Sequence, residues 1–191
     1  MEKNFNIILT GVGGQGIITL LSLINEAALI ESYDVKSSEL HGLSQRGGSV
    51  EAHVRFGKKV LSPLVPKGSA DLVIGMEMIE SYRETGKAGE KANFLVNRLV
   101  SPFQGSSSAE EIEAKLKEAA GNRLHLVSAS EICKNELQNE VVMGLYLLGY
   151  AVNKKLIPLM EKSVIEAVNK IIPQKYLELN LKALNLANVA D

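Results

Sequence analysis

The 191-residue chain has one cysteine, Cys133. A lone thiol can neither close an internal disulfide nor supply the ligand sets of an iron–sulfur cluster or a structural zinc. Any electron transfer would therefore take place on another chain. Cys133 lies in the helical-looking run Ser130-Glu131-Ile132-Cys133-Lys134 and reads as a packed small hydrophobe. Histidine is scarce too: His41, His53 and His125 have no paired spacing, which argues against a metal site. His53 falls on the polar side of a strand, and His125 in a strand that looks buried and structural. Neither sign of charge dominates. With 21 Lys and Arg against 22 Asp and Glu, the net charge is −1, so no extended nucleic-acid footprint is expected. Long apolar runs are absent as well. The longest, residues 141–152, carries two glycines and is too short to span a membrane. The apolar stretch near the N-terminus breaks at Gly11, too early for a secretion signal. A cytoplasmic protein without membrane attachment is the expectation.

What is present describes a globular protein. Hydrophobic residues make up 46% and charged residues 23%, enough to bury a core in a single domain over 1–191. Residues 6–10 read as a buried strand, followed by a glycine turn and a helix over 17–30. Along that helix Ile17, Leu20, Leu21, Ile24, Ala27 and Ala28 recur at three- and four-residue spacing. A second strand is expected over 33–37 and a polar loop over 39–48. Residues 49–56 alternate strictly, with Val50, Ala52, Val54 and Phe56 on one side and Ser49, Glu51, His53 and Arg55 on the other. That predicts an antiparallel strand with one solvated or partner-facing side. A turn at 57–59 would bring Val60 and Leu61 back as the short arm of a hairpin. Further strands are expected over 71–75, 93–97 and 124–127, with a short helix through Tyr82 between the first two. A helix opens on the capping-box pattern Ser108-Ala109-Glu110-Glu111 and stops at Gly121. From Ala129 the pattern is helical, and 141–152 is apolar nearly all round, as for a helix buried between layers. The fold class is α/β: a Rossmann-like mixed sheet with a β-hairpin insertion over 1–128 and a helical C-terminal part over 129–191.

Two segments carry the chemistry. Gly11-Val12-Gly13-Gly14-Gln15-Gly16 follows a strand and opens a helix. Glycines let the backbone turn tightly, and unpaired N–H groups at a helix N-terminus attract an anion such as phosphate. The same turn could equally serve only to pack strand against helix. A nicotinamide site is disfavoured, because the acid that should end the second strand is only approximated by Asp34, which begins it, or by Glu39 in the loop. The second segment, Ser38 to Ser49, holds Glu39, His41, Gln45, Arg46 and Gly47. Arg46 could clamp a phosphate or carboxylate, and His41 could exchange a proton with Glu39 orienting it. A solvated loop held by its own hydrogen bonds is the plainer alternative.

Taken together, Gly11-Val-Gly-Gly-Gln-Gly16 and Ser38-Glu-Leu-His-Gly-Leu-Ser-Gln-Arg-Gly-Gly-Ser49 resemble the gamma-type domain of 2-oxoacid:ferredoxin oxidoreductases. The likeness continues through Ser62-Pro-Leu-Val-Pro66-Lys-Gly68 and Ala70-Asp-Leu72. The C-terminal segments Asn139-Glu-Val-Val-Met-Gly144 and Pro173-Gln-Lys-Tyr-Leu-Glu-Leu-Asn180 resemble the separate small subunit of the indolepyruvate members. The resemblance implies a small subunit without catalytic residues of its own. Its partner would be a large subunit carrying thiamine diphosphate and iron–sulfur clusters. That complex would decarboxylate an arylpyruvate oxidatively to an acyl-coenzyme A and reduce ferredoxin. It further implies coenzyme A handling by this chain, with Gly11, Gly13, Gly14, Gln15 and Gly16 at a phosphate and Glu39, His41, Gln45, Arg46 and Gly47 toward ligand or partner. The alternating strand and the all-round apolar helix would be surfaces that the partner closes, and the isolated chain could form homodimers through what is left uncovered. The competing reading is a free-standing NAD(P)- or nucleotide-binding Rossmann-like protein.

Overall fold

The computed structural model describes residues 3–41, 47–101 and 107–187, with His41 described for its backbone only. Among these residues six strands form one mixed sheet in the order β2-β3-β1-β4-β5-β6. They are β1 (Phe5–Val12), β2 (Asp34–His41), β3 (Ser49–Gly57), β4 (Ala70–Gly75), β5 (Ala88–Asn97) and β6 (Leu124–Val127). β3 is antiparallel to both its neighbours, and β1, β4, β5 and β6 run parallel.

Helices cover both faces, which is why β1 and β4 are apolar on both sides. On one face lie α1 (Ile17–Ile30), α4 (Ala129–Leu137), α5 (Met143–Asn153), α6 (Glu161–Ile171) and α7 (Gln174–Leu186). Their apolar residues merge with Ile7, Leu9, Val54, Phe56 and Leu72 of the sheet into the larger core. On the other face α2 (Met78–Arg83) and α3 (Ala109–Ala120) pack on Ile8, Val73, Phe94 and Val96. The capping box of α3 forms as expected: the Ser108 hydroxyl accepts from the Glu111 N–H, and the Glu111 carboxylate accepts from the Ser108 N–H.

Four expectations need correction. Val60 and Leu61 form no strand. The hairpin is β2 with β3, joined through the polar loop, in register from Asp34 opposite Gly57 to His41 opposite Val50. β2 is accordingly longer than the residues 33–37 foreseen, and it takes in Glu39 and His41. Nor is the polar side of β3 left for solvent or a partner, because the chain's own segment 58–69 straps across it. Arg55 donates to the carbonyls of Ser62 and Leu64, and the Val65 N–H donates to Nδ1 of His53. Helix α5 is likewise closed within the chain, under α4 and α7.

Candidate functional site

The chain leaves β1 toward one side of the sheet and β4 toward the other, so their carboxyl ends border a topological switch point, where ligands of open α/β sheets bind. The glycine turn lies there. Gly14 and Gly16 adopt φ of 102° and 82°, in the left-handed region that side chains resist. A Cβ on Gly11 would sit 2.8 Å from Cβ of Met76, just past the end of β4. Gln15 folds back so that its Oε1 accepts from the Val12 N–H at 2.9 Å. Gly16 ends the turn and α1 begins with no side-chain cap and no acid in its first turn. Its first backbone N–H groups are therefore open to an anion, with no carboxylate in that turn to repel one.

The structure joins this turn to the end of the polar loop. The Gly13 N–H donates to the Gly48 carbonyl at 2.8 Å, and the Gly47 N–H donates to the Gly13 carbonyl at 3.4 Å. Glu39 and His41 lie on β2, across Ala52 and Val50 of β3 from Leu9 and Gly11 of β1, and Glu39 shares the sheet face that α1 covers. Gln45 and Arg46 lie outside the described residues. The inserted β3 also removes the geometry of a nicotinamide site. The second strand of that site should adjoin the first, whereas here two strand spacings, about 10 Å, separate β2 from β1. Asp34 lies at the opposite end of β2 and accepts from the Val60 N–H at 2.7 Å.

Behind the switch point lies a buried ionic network formed by residues far apart in sequence. His53 is 3% exposed and its Nε2 bonds Glu51. Because Nδ1 accepts from Val65, the ring proton belongs on Nε2. Lys87 bridges Glu51 at 3.0 Å and Glu84 at 2.7 Å. The Ser49 hydroxyl donates to Glu80, which also pairs with Arg83 at 2.6 Å. Burial alone would raise the Glu51 carboxyl, but hydrogen bonds from Lys87 and His53, with the charge of Lys87, outweigh it and hold the pKa below the ordinary value. Burial wins at Glu84, only partly offset by Lys87, and its pKa is raised. It also wins at Glu77, whose carboxylate accepts from the Glu80 and Ser101 N–H groups. The alternation of β3 announced the polar side. No local signal announced its partners on α2 and the 3-10 turn Glu84–Lys87 that follows it.

On the α1 side, beside the turn, a cleft of about 530 Å3 opens between α1, the start of α5 and α7. Ile18, Val141, Leu145, Ile172, Tyr176 and Leu179 give it apolar walls, and Gln15 and Gly16 stand at its end. Cys133 is buried in the core with its thiol pushed up to about 11 by burial, the inert packing role expected of it. His125 packs edge-on against Tyr150 at 6.0 Å, and burial, followed by the charge of Lys154, lowers its pKa. No group of three or more metal-ligating side chains gathers among the described residues.

Residues 6–188 match the family model described as pyruvate ferredoxin/flavodoxin oxidoreductase. The indolepyruvate oxidoreductase subunit IorB of Thermococcus kodakarensis is 34% identical over 191 residues, covering 96% of this chain and 94% of that protein. Among solved structures, the keto/oxoacid ferredoxin oxidoreductase gamma subunit of Geobacter sulfurreducens superposes with a TM-score of 0.71, at 20% identity and with 96% of each chain covered. The 2-oxoglutarate:ferredoxin oxidoreductase of Magnetococcus marinus, with 2-oxoglutarate, coenzyme A and succinyl-CoA bound, superposes with a TM-score of 0.75 at 18% identity. It covers all of this chain but only 32% of its own.

Proposed function

Because the chain belongs to the pyruvate ferredoxin/flavodoxin oxidoreductase family, we propose that it is the small subunit of an indolepyruvate-type 2-oxoacid:ferredoxin oxidoreductase, built as one gamma-type domain and working in the cytoplasm. The observation that carries this reading is the end-to-end likeness to an indolepyruvate oxidoreductase subunit, 34% identical and covering more than nine-tenths of both chains. Thiamine diphosphate and the iron–sulfur clusters belong to a large partner subunit, where the oxoacid is decarboxylated and electrons pass to ferredoxin. The single buried cysteine of this chain agrees with that division. So does the length of the Magnetococcus chain, of which this fold occupies about a third.

This chain's own task is to hold coenzyme A. The uncapped start of α1 and the left-handed Gly14 and Gly16 offer backbone N–H groups to a phosphate at the switch point, and Gln15 holds the turn closed. Glu39, His41 and Gly47 border the same edge of the sheet, toward ligand or partner. No helix among the described residues is long and apolar enough to cross a membrane. The test is to purify the tagged chain from its own cells without oxygen and assay arylpyruvate-dependent, coenzyme A-dependent ferredoxin reduction. Recovery of a large thiamine- and iron–sulfur-bearing chain with that activity is expected, and a solitary chain would overturn the assignment.

A further inference from the structure

The cleft between α1, α5 and α7 has a chemistry distinct from that of the turn beside it. None of its lining residues is charged, so an ionised group would lose its hydration there without a counter-charge. Its volume, about 530 Å3, is that of a small-molecule site. Two of the side chains that line it, Gln15 and Asn139, have hydrogen-bonding capacity left over. Gln15 spends Oε1 on the Val12 N–H, and Asn139 spends Oδ1 on the Val141 N–H. The NH2 groups of both amides then have no protein acceptor among the described residues. Ile18, Val141 and Tyr176 at the mouth are 40%, 63% and 50% exposed.

We infer that this cleft binds the uncharged, carbonyl-bearing apolar end of a small molecule, an aryl or acyl group whose carbonyl oxygen accepts from Gln15 and Asn139. The pairing of apolar walls with a few directed polar groups fixes the orientation of a small ligand. An aliphatic side chain from a protein partner would bury the same two donors unpaired, at a cost. The inference goes beyond the assignment of coenzyme A to the glycine turn and does not depend on it.

The experiment titrates the full-length, methyl-labelled chain with phenylacetamide and follows the methyl resonances of Ile18, Leu145, Ile172 and Leu179. Saturable shifts at these methyls are expected, with an affinity in the millimolar range typical of a fragment. Toluene, which lacks the carbonyl, should bind about tenfold more weakly. T19W and V141W place an indole in the cleft from exposed positions and should abolish the shifts while the urea midpoint stays close to that of the wild type. Equal binding of toluene, shifts that persist in both variants, or no shifts at all would overturn the inference. Protection of these methyls only on joining the large subunit, with no ligand shifts, would give the cleft to a partner side chain instead. Coenzyme A titrated separately keeps the two readings apart. Shifts of the Gly14 and Gly16 backbone amides, followed in an amide-labelled sample, without phenylacetamide binding would sink the cleft alone, and the converse would sink only the coenzyme A assignment.

Discussion

At the scale of single residues, the switch point depends on close approach and on the pairing of buried polar groups. Gly11→Ala would force its new methyl against Met76 and Gln15, and overpacking of this kind costs about 1–3 kcal/mol. A urea melt should show the loss, with weaker coenzyme A use in the assembled enzyme because the turn must shift. Asn97 is fully buried. Its amide donates to the Met76 carbonyl and the Ser130 hydroxyl, and its carbonyl oxygen accepts from the Ser130 N–H. Asn97→Leu would leave these groups unsatisfied and should lower stability by about 2–3 kcal/mol in the same assay. The Glu51 carboxyl, held below its ordinary pKa, contributes stability that is present above the unfolded value and disappears as pH falls through the folded one. Glu51→Gln should therefore be less stable than the wild type at neutral pH by about 2 kcal/mol. The gap should close in acid, below the ordinary carboxylate value of 4.5, when unfolding is followed against pH.

Among the elements, α5 and α7 approach closely at Gly149. At Gly149 an added Cβ would lie well inside contact distance of the Leu184 carbonyl oxygen. Gly149→Ala must push α7 outward and should cost about 2–3 kcal/mol, read as a lower urea midpoint with an unchanged helical far-UV signal. The elements differ in how plainly the sequence announces them. β1, α1, α3 and β4 carry their own periodicity and punctuation; the expected bounds of α1, α3 and β4 lie within a residue or so of those observed, and β1 runs two residues past its expected end. β2 was foreseen too short because an edge strand can keep polar residues such as Glu39 and His41 in its ladder. The hairpin partner of β3 was misplaced for a related reason. Gly57-Lys58-Lys59 looks like a hairpin turn, while the true partner lies across a glycine-bounded loop, and strand pairing of that kind leaves no mark in a short window of sequence.

For the whole molecule, the sheet is best protected at its centre. Native-state hydrogen exchange should be slowest at Ile7–Leu9 of β1, Leu72–Ile74 of β4 and Phe94–Val96 of β5, which are covered on both faces, and fastest along β2, which among the described residues has a strand on one side only. Exchange in β2 as slow as in β1 would show that another chain completes the edge. Of the candidate site, the glycine turn was legible in sequence because strand, glycines and helix are contiguous. The joining of Gly13 to Gly47 and Gly48 was not, and neither was the network of His53, Glu51, Lys87 and Glu84, because each brings together residues that only the folded sheet makes neighbours. The strand order also bears on how the protein is made. β1 comes first in the chain yet lies between β3 and β4, so on the ribosome its run Ile7-Ile8-Leu9 has no mate until most of the following segment has been translated. A nascent chain stalled before β3 would present an unpaired apolar strand, covered at best by α1, and holding that interval safe falls to chaperones and to the pace of translation.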